Sequence, residues 1–287
     1  MNLVVCIKQV PDPELPFKAL VGGNGWPHIL NPYDEVAVNE AVRIKERAGR
    51  GTITVVTLGP ASAEKALRKC LAIGADEAIH VCDNILDSSL NPYATAFVLS
   101  KVIAALKYDI IFCGFRSSDW GSCAVGSIIA EFLDIPVVTG VVKLDIFVDL
   151  QSIRARRRLE GGNREIVQCS LPAVVTVEKA LSKSRYPCVR RVIKTSKQEI
   201  LRLDFSSLGL ERESVSLAVS SIKVLEISSR RPPKKALTPS GDLSPAERMR
   251  MLMSGGTAKK EGNLLQKPKD EAAKEIVEFL INKNIIQ

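Results

Sequence analysis

The sequence has very few of the side chains that usually carry catalysis or hold metal ions. Only two histidines are present, His28 and His80, so a zinc site or a histidine-based catalytic triad has little to draw on. Seven cysteines are scattered along the chain without a CxxC pair, which predicts reduced, mostly buried thiols in a reducing compartment. We therefore expect neither a catalytic residue nor a metal site in this chain.

Several motifs of nucleotide-processing and hydrolytic enzymes are also missing. The chain has no GxxxxGK[ST] loop, no GxGxxG after its first strand, no GxSxG elbow and no HExxH. No apolar run approaches the roughly 20 residues that cross a bilayer, and Met1 leads straight into a strand-like segment without the features of a secretory signal. These absences predict a cytoplasmic protein and argue against a nucleotide-hydrolysing enzyme.

The formal net charge is +8, and the basic residues cluster in four segments. Nucleic acid is not the expected partner, because the clusters lack interleaved aromatic residues and no helix-turn-helix or RNA-binding motif accompanies them. Solvated basic faces and a basic tail explain the pattern, and the alternative is an acidic protein or a membrane surface. The clusters lie at residues 154–164, 183–197, 228–235 and 257–262.

Apolar segments rich in β-branched residues alternate with helical patterns through the first half of the chain. The helical spacing after Tyr33, for example, ends at the glycine stop Gly49. Such alternation predicts an α/β fold with a parallel, doubly wound sheet flanked by helices, whose strands end at one common edge. The predicted strands are 2–8, 52–59, 77–82 and 108–114.

The pattern changes after Val141. An EGGN turn at 160–163 between alternating segments predicts an antiparallel hairpin, and residues 172–181 supply one more strand. Beyond Leu201 a Pro-, Gly- and Lys-rich arm follows, with a short helix at 245–253 and a closing amphipathic helix. We expect a nucleotide-binding α/β domain over 1–200, with the hairpin, and a C-terminal arm and helix over 201–287.

The loop GFRSSDWGSCAVG, from Gly114 to Gly126, follows a predicted strand at the edge where open α/β sheets bind ligands. Gly114 permits a sharp turn, and Gly121 is placed at the expected start of the next helix, where free N–H groups attract phosphate. Asp119 would serve as a helix cap or as an acceptor for a ribose hydroxyl. An ordinary connection of small residues is the alternative.

The segment ILNPYDE is a second candidate for the ligand site. Asn31 precedes a proline and is expected to be extended, and Tyr33 and Asp34 are expected to start a helix with a capping acid. A loop with a helix cap explains the segment equally well. In the functional interpretation, residues 31–34 meet an adenosine, and the TLGP turn at 57–60 contributes to the same site.

Eight segments occur in an order that resembles the beta subunit of electron transfer flavoproteins. The resemblance runs from Asn2 to about Lys197, and its NP-x-x-x-x-A-x-x-E-A pattern followed by AIGAD is distinctive. The segments are VVCIKQV, NPYDEVAVNEAVRIKE, VVTLGP, LRKCLAIGADEAIHV, GFRSSDWGSCAVG, EFLDIP, LPAVVTVEKAL and SRY.

This resemblance implies an adenine-nucleotide hydrolase-like α/β fold and a heterodimer with an alpha subunit that carries the redox FAD. The C-terminal helix would dock on that subunit, and the chain would hold a second nucleotide of its own. The implied contacts of the second nucleotide are Cys6, Asn31, Pro32, Tyr33, Asp34, Leu58, Phe115, Arg116, Ser117, Ser118, Asp119, Trp120, Gly121, Ser122, Cys123, Ala124, Val125 and Gly126.

The resemblance also implies a leucine that anchors partner dehydrogenases, and it aligns with Leu181. The polar neighbours of Leu181 favour an exposed anchor over a core leucine, and the basic cluster with Arg185 and Tyr186 would steer acidic partners. The implied partners are an acyl-CoA or other flavin dehydrogenase and, through the long arm, a membrane-associated or iron-sulfur oxidoreductase.

Two classes of beta subunit are implied, and they differ in the second nucleotide. The housekeeping class holds a structural AMP, whereas the flavin-bifurcating class holds a second FAD that NADH reduces. KQVPD, Asp34 and the VG at 125–126 resemble the second class and favour FAD, while Trp120, Gly121 and Ala124 replace polar residues of the family loop. An electron carrier rather than a stand-alone enzyme is expected, with a nucleotide-hydrolysing enzyme or nucleotide sensor as distant alternatives.

Overall fold

A computed structural model of the chain describes residues 1–14, 27–82, 91–147, 149–210, 243–253 and 268–282. The chain divides into two units, Met1–Val224 and Leu225–Gln287. No helix in the described ranges combines the length and apolar content needed to span a bilayer.

The first unit is built on a sheet in which nine described strands take the order β11-β5-β4-β1-β6-β10-β7-β8-β9. A separate antiparallel pair, β2 and β3, lies outside it. The strands are β1 (Asn2–Cys6), β2 (Gln9–Pro11), β3 (His28–Leu30), β4 (Thr52–Leu58), β5 (Glu77–Val81), β6 (Ile110–Gly114), β7 (Val137–Phe147), β8 (Ser152–Arg158), β9 (Arg164–Ser170), β10 (Ala173–Val177) and β11 (Leu201–Leu203).

Helices cover both faces of this sheet, because the central strands are apolar on both sides and must bury both. Along β1, Leu3 and Val5 face one core and Val4 and Cys6 face the other. The first core is shared with α1 (Pro32–Ala48) and α2 (Glu64–Ile73), and the second with α3 (Pro92–Ala104) and α4 (Val125–Leu133). The predicted α/β class, with a parallel sheet between helices, is confirmed.

Helix α1 ends where its sequence predicts. Gly49 adopts the left-handed conformation at φ 67° and donates its N–H to the Lys45 carbonyl, which closes the helix at its C-terminus. Helix α4, in contrast, begins at Val125, four residues later than predicted. The prediction is wrong because Gly121 lies in the loop at φ 63°, outside helical backbone geometry.

The antiparallel hairpin is confirmed. Strands β8 and β9 pair around Gly161 and Gly162, whose φ values of 65° and 83° are the left-handed geometry that favours glycine. The last predicted strand, β10, does not extend this hairpin. It returns to the parallel part of the sheet and pairs with β6 on one side and β7 on the other.

Packing in the first unit continues past residue 200. Strand β11 adds to the sheet beside β5, and Phe205 and Leu210 are buried in the α3 and α4 core. In the second unit the predicted short helix is confirmed as α6 (Pro245–Met253), and the closing helix is α7 (Lys269–Asn282). Residues 211–242 of the predicted arm, and two of the four basic clusters, lie outside the described residues.

We expect Phe205→Ala to lower the free energy of unfolding by about 3 kcal/mol, because it empties a buried aromatic site. Leu201→Ala is the matched control, since Leu201 lies in the same segment with an exposed side chain, and a change below about 0.5 kcal/mol is expected. Urea unfolding of the full chain measures both variants. Equal losses would mean that the segment after residue 200 adds nothing specific to the core.

Candidate functional site

The strand order places a topological switch point between β1 and β6. From β1 the chain adds β4 and β5 on one side, and it then crosses to β6 on the other side. Cys6 and Cys113 are register partners at the carboxyl ends of these two strands. Because the loops that leave such a pair of strands diverge, a crevice opens between them, and open α/β sheets bind ligands there. The predicted nucleotide loops lie at this crevice.

Asn31 ties the two sides of the crevice together. Its backbone N–H donates to the Lys8 carbonyl at 2.9 Å, just after β1. Its side-chain amide donates to the Arg116 carbonyl at 3.0 Å, and its side-chain oxygen accepts the Ser118 N–H at 3.2 Å. The buried Asn31 side chain therefore fixes the start of the loop after β6, and replacing it would leave both loop groups without partners.

Asp34 makes a second bridge across the same crevice. One carboxylate oxygen accepts the Lys8 N–H at 2.7 Å, and the other accepts the Gly114 N–H at 3.1 Å. A Cβ at residue 114 would overlap the Asp34 carboxylate, so only glycine fits there. The predicted capping role of Asp34 is wrong, because its carboxylate bonds to the ends of β1 and β6 and α1 has no side-chain cap.

Complete burial raises the pKa of Asp34 from 3.8 to about 7. The N–H groups of Lys8 and Gly114 and the side chain of Asn31 favour the charged carboxylate, but they only partly offset the loss of hydration. The crevice therefore contains a carboxyl group that changes charge near neutral pH.

Asp119 is held at the mouth of the crevice by an ion pair. The Lys8 ammonium lies 2.6 Å from one carboxylate oxygen, and the Trp120 N–H donates to the other at 2.7 Å. Burial acts to raise the pKa of Asp119, but the bonds from Lys8 and Ser117 outweigh it and the pKa falls below its ordinary value. Asp119 is not a helix cap, since the residue before α4 is Ala124.

The backbone N–H groups that could bind an anion lie at the start of α4, at Val125, and not at Gly121 as predicted. The N–H of Gly121 is already used, since it donates to the Ser117 hydroxyl at 3.3 Å. The first bond inside α4 runs from the Ile128 N–H to the Ala124 carbonyl, so the preceding N–H groups have no partner within the helix. These groups, at 125–127, form the positive end of the α4 dipole and suit a phosphate.

Gly126 brings this helix end close to the sheet. A Cβ at Gly126 would lie 2.5 Å from the Thr176 side chain and 3.3 Å from the Cys113 Cβ, so a larger residue would push α4 away. Below it, a hydrogen bond with Cys6, together with burial, raises the pKa of the Cys113 thiol. The floor of the crevice is therefore uncharged and tightly packed.

The other predicted contact residues line the rim. Arg116 donates to the Tyr33 hydroxyl at 2.8 Å and lies over its ring, and Phe115 is bonded through its N–H to the Val177 carbonyl at 2.9 Å. Leu58 is half-buried at the end of β4. Pro32 is the first residue of α1, Trp120, Ser122 and Cys123 are exposed, and Val125 is the first residue of α4.

Lys8, at the crevice, and His80, at the neighbouring ends of β4 and β5, escaped prediction. Lys8 contributes its ammonium to Asp119 and its N–H to Asp34, and the sequence singled it out only as the first residue of KQVPD. His80, on β5, donates its Nε2–H to the Gly59 carbonyl at 3.1 Å, and its buried Nδ1 has no hydrogen-bond partner among the described residues. No pattern in the sequence pointed to His80.

The sequence of the chain matches a known protein family. The family described as "Electron transfer flavoprotein domain" matches residues 24–207, which is more than half of the chain.

The chain belongs to the electron transfer flavoprotein family.

Relatives in this family include several beta subunits, as the sequence motifs implied. The electron transfer flavoprotein subunit beta of Thermoanaerobacterium thermosaccharolyticum is 40% identical over 233 residues, covering 79% of this chain and 88% of that protein. The corresponding subunit of Bacillus subtilis is 36% identical over 88% of this chain and 96% of its own length. Protein FixA of Azotobacter vinelandii is 35% identical over 82% and 86%. The beta-subunit resemblance is confirmed.

In this flavoprotein the predicted partner anchor is less exposed than expected. Leu181 is half-buried and packs against the α1 and α2 core, and its N–H donates to the Glu178 carbonyl at 3.0 Å. The exposed position expected from its polar neighbours is not found. Arg185 is paired with Glu46 at 2.7 Å, and Tyr186 is 99% exposed.

A more exposed apolar surface lies on helix α5 (Val189–Ser196), close to Tyr186. Val189 is 74% exposed and Ile193 is 63% exposed, and their spacing of four residues puts them on one side of the helix. We call Tyr186, Val189 and Ile193 the docking patch. The patch was not predicted from the sequence, although the four-residue spacing of Val189 and Ile193 is helical.

Two arginines fasten α5 to α2 from opposite ends. Arg68 of α2 donates to the carbonyls of Thr195 and Ser196 at 3.1 and 2.9 Å, at the C-terminus of α5. Arg191 of α5 donates to the Leu71 carbonyl at 3.2 Å, near the C-terminus of α2. Each cation lies at the negative end of the other helix, where it satisfies carbonyls that the helix leaves unpaired. The docking patch is thus held on a fixed support.

The raised pKa of Asp34 predicts a pH-dependent stability. The folded chain binds the Asp34 proton up to about pH 7, and the unfolded chain loses it near 3.8. Stability should therefore fall as pH rises through this window, by on the order of 1.4 kcal/mol for each pH unit. Urea unfolding of wild type and Asp34→Asn from pH 4 to 8 tests this. The free energy of unfolding of wild type should fall with pH more steeply than that of Asp34→Asn. Parallel pH profiles of the two proteins would contradict the prediction.

The arginine contacts predict that Arg68→Gln loosens α5. Loss of the bonds to the two α5 carbonyls should raise the amide exchange rates of residues 192–196 about tenfold. Lys65→Met is the matched control, because Lys65 is an exposed cation of the same helix. Hydrogen–deuterium exchange of the full chain measures both. Unchanged exchange in Arg68→Gln would show that α5 is held by other contacts.

Proposed function

We propose that the chain is the beta subunit of an electron-carrying heterodimer and that it binds a nucleotide in the crevice between β1 and β6. The partner subunit is the alpha subunit, which carries the redox FAD at the shared interface. One observation carries the nucleotide proposal: the loops after β1 and β6 meet at the switch point and are tied together by Asn31 and Asp34. The protein is an electron carrier rather than a stand-alone enzyme.

The residues of the crevice suit a nucleotide. The N-terminus of α4 offers backbone N–H groups for phosphate, and Asp119 offers a carboxylate for a ribose hydroxyl. Lys8 neutralises Asp119, so the carboxylate does not repel a phosphate nearby. A bound flavin would supply the electron transfer, while the chain orients it, excludes water and sets the surrounding charge.

We further propose that this crevice holds FAD, with AMP as the alternative. Asp34 and the Val125–Gly126 pair support FAD, because both match features of the bifurcating class noted in the sequence. Asp34 also fixes the separation of the two loops, because its carboxylate accepts an N–H from each of them. In a bifurcating subunit NADH would be the reductant at this site.

The docking patch suits a transient protein partner. Its exposed aromatic and aliphatic side chains are surrounded by cations, including Arg190 and Lys194. Apolar contacts at the centre of an interface contribute most of its affinity, and a basic rim speeds encounter with an acidic partner. We propose an acyl-CoA or other flavin dehydrogenase as the partner. A membrane-associated or iron-sulfur oxidoreductase would be the acceptor, with this chain cytoplasmic and peripheral to the membrane through that complex.

Co-expression with the alpha subunit, followed by extraction of bound nucleotides, tests the proposal. We expect two FAD in each heterodimer and rapid bleaching of flavin absorbance when NADH is added without oxygen. One FAD with one AMP and no response to NADH would select the alternative. A chain that purifies alone as a stable monomer and ignores the alpha subunit would contradict the heterodimer itself.

A variant pair locates the nucleotide within the heterodimer. Asp119→Asn should lower the retention of the second nucleotide about tenfold, since a charged acceptor for its ribose is lost. Asp149→Asn is the control, because Asp149 is an exposed acid in the turn between β7 and β8. Nucleotide content after gel filtration is the measurement. Equal retention in the two variants would place the nucleotide elsewhere.

A further inference from the structure

The outer face of β8 carries a row of arginines that the nucleotide site and the docking patch do not use. Arg154, Arg156 and Arg158 alternate along the strand and are all exposed, whereas Ile153 and Ala155, on the opposite face, are buried in the core. Alternate residues of a strand lie on one face of the sheet, about 7 Å apart. The row therefore presents guanidinium groups at regular intervals.

Neighbouring strands extend this charged row into a face. Lys143 of β7 lies opposite Arg156, and Arg164 of β9 lies opposite Arg158. We call Lys143, Arg154, Arg156, Arg158 and Arg164 the arginine face. Within it, Ile166 of β9 lies opposite Arg156 and is 67% exposed. The face is thus mainly cationic, and it also includes Ile166 and the Phe147 ring, over which Arg154 lies at 5.2 Å.

The chain itself does little to neutralise this face. Asp145 of β7 lies within it, opposite Arg154 and 3.5 Å from the Lys143 ammonium, and none of the four arginines forms an ion pair with any described residue. Arginines elsewhere in the unit, such as Arg68 and Arg185, do pair with carboxylates. Like charges directly opposite on a sheet, as at Arg158 and Arg164, destabilise it. An anionic partner would remove that repulsion.

The face ends at an open sheet edge. Strand β9 pairs with β8 on one side, and on its other side no described residue pairs with it. An open edge presents rows of N–H and C=O groups that another strand can pair with. Only a polypeptide supplies matching backbone groups, whereas a lipid surface or a nucleic acid would meet the arginines alone.

We propose that the arginine face and the β9 edge form a docking site for an extended acidic protein segment that pairs with β9. Its carboxylates, at alternate positions, would match the spacing of the arginine row, because both follow the two-residue period of a strand. Arginine suits this role, since its planar guanidinium binds carboxylates in a bidentate manner. The proposal is independent of the nucleotide in the crevice.

Binding of a labelled peptide to the full chain tests the site. The probe is a ten-residue peptide with glutamate at alternate positions and valine between them. Fluorescence anisotropy of the label measures its binding. We expect saturable binding that weakens as salt rises from about 50 to 300 mM. A peptide of equal composition with its glutamates in one block should bind about tenfold more weakly. Equal affinity for both peptides would overturn the strand pairing.

Paired variants assign the binding to the arginine face. Arg156→Ala with Arg158→Ala should weaken binding of the alternating peptide about tenfold. Arg47→Ala with Arg50→Ala is the control, because it removes two exposed cations elsewhere, and it should change binding by less than about twofold. Circular dichroism confirms that both fold. Equal losses in the two variants, or no saturable binding by wild type, would overturn the proposal.

Two further probes separate the partner classes. N-methylation of alternate peptide bonds on one edge of the probe should abolish binding, while methylation of the other edge should leave it intact, because only one edge faces β9. Vesicles of phosphatidylglycerol and a DNA duplex are tested with the same variants. Tighter binding of either than of the peptide, with the same dependence on Arg156 and Arg158, would show that the face serves a membrane or nucleic acid instead.

Discussion

The contact on which the candidate site depends is the buried Asp34 carboxylate, which accepts one N–H from the end of β1 and one from the end of β6. This carboxylate lies where the loops after β1 and β6 diverge. The hydrogen bonds of the sheet itself do not fix the position of one loop relative to the other. The Asp34 contact also restricts which residues can lie beside it. Residue 114 must be glycine, because a Cβ there would occupy the space of the carboxylate. Burial of this charge costs hydration, which is why its pKa is raised.

A site organised in this way is built mainly from backbone groups, and that explains how a chain poor in catalytic side chains can have a function. The N–H groups at the start of α4, which have no partner within the helix, and the loop fixed by Asn31 form a cradle whose chemistry depends on main-chain position. Gly126 sets the depth of that cradle by allowing α4 to approach Thr176. Binding and orientation need no general acid or base when a cofactor supplies the reactivity.

The parts of the fold that follow local patterns could be predicted from the sequence, and those that depend on distant contacts could not. Alternation of apolar strands with amphipathic helices predicted the parallel sheet, and Gly49 predicted the end of α1. No local sequence pattern predicted that β10 would lie between β6 and β7, because that position depends on pairing across the sheet. Asp34 looked like a helix cap because the N–H groups that donate to its carboxylate lie 26 and 80 residues away in sequence. The predicted loops do lie where β1 and β6 end, and their role in binding a nucleotide stays a prediction. The start of α4 was missed because Gly121 and Cys123 adopt positive φ.

The candidate crevice and the docking patch are connected through α2, and this connection favours fixed geometry over switching. Near the crevice, Gln9 and Ser62 exchange two hydrogen bonds just before α2, at 3.0 and 2.9 Å. At the far side Arg68 of α2 holds α5, which carries the patch. A chain of such contacts transmits a change only if one of its elements has two stable arrangements, and a helix fastened at both ends has little freedom to adopt a second. Since electron transfer between bound cofactors depends on their separation, a rigid α2 would serve the proposed carrier by keeping the partner at a constant distance from the crevice.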